Sequence, residues 1–192
     1  MATYRRTAEL EVGTGKRAFF TADLHLFHKN IIKYENRPFN DIDDMHETII
    51  KNWNKVVKAE DKVFILGDLT FGKKDATKEI ISELNGRKIL VKGNHDTHPN
   101  QWYRDIGIEE VSSYPILYDE YFVLTHEPMM YLKEPFLNVF GHVHSSPNFN
   151  TFTQASICVC VERWGYAPVS FMELMKSFLR FQRKVEQYQS KL

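Results

Sequence analysis

Five short apolar runs constrain this chain more than any other feature: RAFFTA at 17–22, KVFIL at 62–66, KILVK at 88–92, YFVLT at 121–125 and LNVF at 137–140. Each is rich in the β-branched and aromatic residues that suit a pleated strand, and each lacks the alternation of a strand with one wet face. They predict strands buried on both sides. Between the first two, Ile42, Met45, Ile49, Trp53, Val56 and Val57 recur at helical spacing over 41–59, with Asn40 or Asp41 available as N-cap. A shorter helix over 75–84 buries Ile80, Ile81 and Leu84 before Gly86 ends it. A closing helix, about 170–190, starts at Ser170 and repeats the pattern with Phe171, Leu174, Met175, Phe178 and Leu179. The stretch YPILYDEYFVLTH predicts a hairpin turning at Asp119 and Glu120, which adds antiparallel pairing. The fold class is α/β, a sheet-rich sandwich with mixed strands.

A chain of 192 residues is long enough for one substantial core and short for two, so residues 1–192 are expected to form a single domain. Lys and Arg together number 25 and so do Asp and Glu, which leaves no global positive field to recruit nucleic acid or anionic membrane. The opening MATYRRTAELEVG lacks the apolar centre of a secretory signal, and no run approaches the length that spans a bilayer, so a cytoplasmic protein without membrane partners is expected. Cys158 and Cys160, two apart, are read as small core thiols on one strand face.

Residues directly after each strand carry the chemistry. The runs lead into Asp23-Leu24-His25, Gly67-Asp68, Gly93-Asn94-His95-Asp96, His126 and Gly141-His142-Val143-His144. Ligands of open α/β sheets gather beyond the carboxyl ends of strands, so these five loops are expected to converge on one crevice. If the chain stays extended past 140, His142 and His144 share a side and Val143 turns away. The inventory of two Asp, one Asn and several His, without thiolate, suits Mn²⁺, Fe or Zn²⁺. It exceeds what one ion needs, which argues for two metals acting on a phosphoester: a pair that binds a phosphate oxygen and activates a bridging water.

The ordered set D-x-H, G-D, G-N-H-D, H, G-H-x-H, spanning 23–144, resembles the calcineurin-like metallophosphoesterase superfamily. That resemblance implies a four-layer αββα sandwich, two mixed sheets flanked by helices. It implies that Asp23, His25 and His144 hold one metal, that Asn94, His126 and His142 hold the other, and that Asp68 bridges them. Manganese is the expected metal, and iron, zinc and nickel suit the same donors. His95, beside a ligand but not one itself, is then free to protonate the leaving oxygen, with Asp96 orienting its ring.

The stretch DLHLFHKNIIKYENRPF is similar to a small bacterial and phage-encoded branch, and implies that His28, Asn30 and Arg37 approach the substrate phosphate. Phe27 stands where that branch has a small residue. His46 and His98 are read as solvent-facing, and Lys73-Lys74 as a solvated turn. No Asp-Arg-Gly follows Gly67-Asp68, unlike the protein phosphatases of the superfamily. The expected activity is that of a phosphodiesterase on a small or nucleotide-like ester. The alternatives are a nuclease acting on DNA or RNA ends, with Phe27, Phe71 or Tyr131 stacking on a base, a phosphomonoesterase, and, last, a silent scaffold.

Overall fold

The computed structural model describes residues 17–190; the opening segment weighed above for a secretory signal lies outside them. Among the described residues the strands are β1 (Ala18–Thr21), β2 (Lys62–Leu66), β3 (Arg87–Val91), β4 (Glu110–Ser112), β5 (Ile116–Tyr118), β6 (Phe122–Leu124), β7 (Leu137–Phe140), β8 (Ser156–Cys158) and β9 (Val169–Ser170). The helices are α1 (Lys29–Tyr34), α2 (Ile42–Val56), α3 (Lys74–Glu83), α4 (Asn100–Asp105) and α5 (Phe171–Gln189). One sheet runs β4-β3-β2-β1-β9, with β1 to β4 parallel and β9 antiparallel. The other runs β5-β6-β7-β8, where only β5 and β6 pair antiparallel. These are the two mixed sheets flanked by helices that the family resemblance implies.

Period-two alternation explains why the strand sequences are apolar throughout. Phe19, Val63, Ile65 and Leu90 face one way and pack against Met45, Ile49 and Trp53 of α2, Ile80 and Ile81 of α3 and Tyr103 of α4. Their neighbours Phe20, Phe64, Leu66, Ile89 and Val91 face the other way, into a core shared with Phe122, Leu124, Leu137, Val139 and Ile157 of the second sheet. α5 adds Phe171, Leu174, Met175 and Phe178 to that same core. Either face left wet would strand large side chains worth roughly 1.5–3 kcal/mol each in transfer free energy.

Local signals set the element ends. Asp41 caps α2 by accepting from the amides of Asp43 and Asp44, and Ser170 caps α5 by accepting from Glu173 N. The predicted hairpin forms between β5 and β6, with Asp119 and Glu120 both at positive φ. Among the described residues no helix is long and apolar enough to cross a membrane.

One solvent-facing reading is corrected. His46 is buried in α2, where its Nε2 accepts from Phe27 N–H at 2.9 Å and its ring packs edge-on against Phe27. The helix turns it inward because the loop after β1 needs an acceptor there. His98 is exposed, as expected, and stacks on Trp102. Of the Lys73-Lys74 pair, Lys74 is tied to Asp105 by an ion pair.

Candidate active site

Loops after β1, β2 and β3 of one sheet and after β6 and β7 of the other meet in one crevice. Backbone bonds fasten them: Asp23 N–H donates to Gly67 O, His25 N–H to Asp68 O, and Gly141 N–H to His126 O, all at 2.9 to 3.0 Å. Side chains sew the sheets together as well, since His142 N–H donates to Asp23 Oδ2 at 2.8 Å. The approach is so close that Gly67, Gly93 and Gly141 tolerate no side chain. A Cβ on Gly67, whose φ is +87°, would lie 2.2 Å from His126 Nδ1, and one on Gly141 would lie 2.6 Å from Asp23 Oδ2.

Asp23, His25, Asp68, His142 and His144 all have positive φ, between 47° and 70°. The expectation of an extended chain through 141–144 is therefore wrong: β7 stops at Phe140, and the two histidines turn in the left-handed region with Val143 between them. Both imidazoles still reach the crevice, while Val143 is buried with Phe140, Cys158 and Cys160. Asp, Asn and His are among the few non-glycine types that enter this region readily, and strain of this kind collects where a rigid frame holds functional groups.

The donor atoms form two sets that share one carboxylate. Asp23 Oδ1 lies 3.9 Å from His25 Nε2 and 3.7 Å from His144 Nε2. Asn94 Oδ1, His126 Nε2 and His142 Nδ1 lie 2.8 to 3.1 Å from one another. Asp68 Oδ2 stands between the sets, 3.4 Å from His25 Nε2 and 3.6 Å from His126 Nε2. Ligands held about 2.1 Å from a common ion are separated by roughly 3 to 3.5 Å, so these spacings suit coordination. Asp23 Oδ1 and His25 Nε2 are buried atoms without a hydrogen-bond partner, a costly arrangement that a cation between them would relieve. The groups Asp23, His25, His144 and Asp23, Asp68, His126 each bring their ligand atoms within 4.8 Å of one another.

Electrostatics prepare the same groups. Burial pushes the Asp23 carboxyl up to about 6 and the His25 imidazole down to about 4, so His25 is neutral and able to ligate at neutral pH. Burial would also raise Asp68, but the neighbouring imidazoles of His25 and His126 hold it below its ordinary value. The ring of His126 offers Nδ1–H to Leu66 O at 2.9 Å, which leaves Nε2 as the lone-pair donor.

Other sequence expectations meet different surroundings. His95 stands at the mouth, half-exposed, with Nε2 4.0 Å from Asp68 Oδ2 and its backbone N–H donating to Asp68 Oδ1. Asp96 does not orient that ring. It is buried, and accepts from the amides of Asp68, Leu69 and Gly93 and from the Tyr103 hydroxyl, so it ties the second loop to the third. His28 lies beside the site, its Nδ1 3.3 Å from His25 Nδ1, and Asn30 is exposed in the first turn of α1. Arg37 cannot reach a substrate phosphate: it is buried, donating to Asp23 O, Leu24 O and Glu162 Oε1.

Glu162 is the residue that sequence reading missed. It lies in a short 3-10 turn after β8, and Oε1 receives both Arg37 and His144 Nδ1, the latter at 3.0 Å. Its only trace in the sequence is a carboxylate inside the apolar stretch CVERW, which carries no spacing signal. The two cysteines are buried with Sγ atoms 3.3 Å apart.

Residues 16–162, well over half of the chain, match the calcineurin-like phosphoesterase family. The chain belongs to that family. An uncharacterised protein of Methanocaldococcus jannaschii, MJ1445, is 35% identical over 84% of this chain and 90% of its own length. The Gene 66 protein of Mycobacterium phage L5 is 39% identical over 42% of this chain and 41% of its own, in keeping with a bacterial and phage branch. The crystal structure of a protein of unknown function from Aquifex aeolicus, AQ665, matches with TM-score 0.66 at 27% identity, covering 84% of this chain and 98% of that one. As a calcineurin-like phosphoesterase the protein is a metal-dependent phosphoric ester hydrolase, and the crevice carries donor groups for that metal.

Proposed function

We propose that this phosphoesterase is a dinuclear phosphodiesterase acting on a small or nucleotide-like ester, its 192 residues forming one domain. The observation that carries the reading is Asp68 Oδ2 standing within 3.6 Å of both donor sets while Asp23 Oδ1 and His25 Nε2 are buried without partners. Asp23, His25 and His144 would hold one ion, Asn94, His126 and His142 the second, and Asp68 both. Oxygen and imidazole donors without thiolate suit manganese, with iron, zinc and nickel as competitors. Bound there, the cations supply Lewis acidity toward a phosphoryl oxygen and lower the pKa of a coordinated water.

The chain's own groups do the rest. Water adds to phosphorus and releases a proton to solvent as the P–O bond to the leaving alcohol breaks. The departing oxygen takes a proton from His95, which the Asp68 contact keeps at the mouth of the crevice and which solvent then reprotonates. His28 is close enough to the first set to steady a phosphate oxygen. Arg37 is a positioning residue, holding the carbonyls of Asp23 and Leu24. A diester is favoured over a monoester because the site is open on two sides. A groove of about 430 Å³ runs from Asn94 and His126 past Lys92, Tyr114 and Met129, while Phe71 and His28 border the opposite rim.

The test is elemental analysis of manganese-loaded protein together with turnover of bis(p-nitrophenyl) phosphate and p-nitrophenyl phosphate. Two equivalents of metal and a diester preference are expected, with activity lost on chelation. Saturation at one equivalent would sink the dinuclear reading, and a monoester preference would sink the diester reading.

A further inference from the structure

Three aromatic side chains were open to a planar ligand on sequence grounds, and their surroundings separate them. The Phe27 ring packs 4.5 Å from that of His46 and fills the space beside Gly72. Tyr131, 92% exposed, lines a groove with Met129, Met130 and Ser156 that includes none of the metal-set residues. Phe71 alone borders the site. Its centroid lies 4.3 Å from that of His28, nearly parallel, and 5.1 Å from that of His95, yet the residue is 46% exposed.

The ring is packed against His28 and, at 5.5 Å, against His25, and the backbone that carries it is held. Phe71 N–H donates to Leu26 O at 2.8 Å, and Gly72 N–H to Thr70 Oγ1 at 3.0 Å. A Cβ on Gly72 would strike the Phe27 ring at 2.3 Å, so the turn after Phe71 has no slack. A ring fixed in advance loses little freedom when something stacks on it. Beyond it the rim continues as rings, with Tyr34 edge-on to His28 at 6.1 Å.

We infer that Phe71 is the stacking platform for the nucleobase of the leaving group in a nucleotide phosphodiester. This rests on the reading of the site as a diesterase. The side is fixed by His95: whatever leaves is protonated there, and Phe71 is its aromatic neighbour. The ligand class follows from the rim, whose imidazole and phenol rings offer π-faces with polar edges suited to a heteroaromatic base. Equal numbers of cationic and anionic residues give no global positive field to draw in a long polyanion, so recognition is assigned to stacking of one base.

The experiment compares a thymidine dinucleotide with an analogue whose leaving nucleoside is an abasic tetrahydrofuran sugar, so that the departing alkoxide is unchanged. Manganese-loaded protein is expected to favour the base-bearing ester by about 10- to 100-fold in kcat/KM. Phe71→Ala should bring that ratio to within about threefold of unity, and Phe71→Trp should restore it. The ratio is internal to each variant, so losses of metal or folded protein cancel. Equal turnover of both esters by the parent, or a preference that survives Phe71→Ala, overturns the platform and leaves the diesterase reading standing. So does failure on both dinucleotides while bis(p-nitrophenyl) phosphate is hydrolysed. Failure on all three esters overturns both.

Discussion

Asp23 and Asp61 are the same residue type, both wholly buried, at opposite ends of the same parallel pair of strands. Asp61 precedes β2 and is saturated: it accepts from Arg17 N, Nε and Nη2 and from Lys58 N, at 2.8 to 3.3 Å. Asp23 follows β1, accepts His142 N–H on one oxygen, and leaves the other buried and unpaired. Their acidities diverge accordingly. Burial acts to raise both, but around Asp61 the Arg17 and Lys58 donors outweigh it and hold the carboxyl below its ordinary value, while around Asp23 burial prevails and takes it to about 6. The amino ends of the strands spend charge on holding the sheet, and the carboxyl ends keep charge in reserve. A folded protein can carry that reserve only because the rest of the frame is rigid.

The largest effect expected from breaking this contrast is on turnover. Asp23→Asn keeps shape and loses the anion, so hydrolysis should fall by about a thousandfold or more, on the scale of other electrostatic stabilisers of a reacting centre. The same substitution should leave the metal-free protein at pH 7 as stable as the parent or more so, by about 1 to 3 kcal/mol. The sign follows from linkage. A carboxyl raised in the fold binds its proton more tightly folded than unfolded, so metal-free stability declines as pH rises from its unfolded value, near 4, to about 6. In Asp23→Asn that decline should vanish from melting curves taken across the window. A variant less stable than the parent at pH 7 would mean Asp23 is satisfied by protein groups after all.

Asp61→Ala is the mirror experiment and the next in size. Removing the acceptor strands the Arg17 and Lys58 amides, and about 2 to 4 kcal/mol of stability should go; the Arg17 guanidinium is 42% exposed and can return to water, which limits the loss. For a chain of this length that is a fall in melting temperature of roughly 5 to 15 °C. The pH signature reverses. A carboxyl lowered in the fold contributes fully above its unfolded value and loses that contribution as pH falls through its folded one, so parent and variant should converge in acid. Activity per folded molecule should be unchanged, since Asp61 touches none of the donor groups. Loss of specific activity in folded Asp61→Ala would show that the two ends are not independent.

The contrast also marks what the sequence could reveal. Strand runs were legible because burial on both faces demands unbroken apolar residues, and the candidate ligands because each stands directly after such a run. Asp41 and Ser170 were readable as caps because capping is local. Most of the misreadings concern partners brought together across the fold. Nothing near Arg37 in the chain announces Glu162, 125 residues away, and nothing near Asp96 reveals that its acceptors serve the amides of Asp68 and Leu69. His46 looked like a surface residue because its partner is a backbone N–H in another loop. The left-handed turns at His142 and His144 escaped because neither residue is a glycine, so no local signal announces positive φ.

Glu162 sits between the two regimes and gives the smallest and sharpest test. Its Oε1 is as heavily used as any atom of Asp61, taking Arg37 and His144 together, whereas Oε2 is buried without a partner, like Oδ1 of Asp23. Burial would raise its pKa, but hydrogen bonding from His144 and the charge of Arg37 hold it below the usual range. In Glu162→Gln the amide oxygen can keep Arg37 and His144 while the nitrogen takes the unpaired side, so stability should fall by only about 1 to 2 kcal/mol. What is lost is the charge that strengthens His144 as a donor and fixes which of its nitrogens faces Asp23. One metal equivalent should therefore bind about 10- to 100-fold more weakly, with the other unchanged. Isothermal titration of metal-free protein separates the outcomes. Two equivalents weakened alike would mean that Glu162 supports the frame as Asp61 does, and neither weakened would mean that His144 is oriented without it.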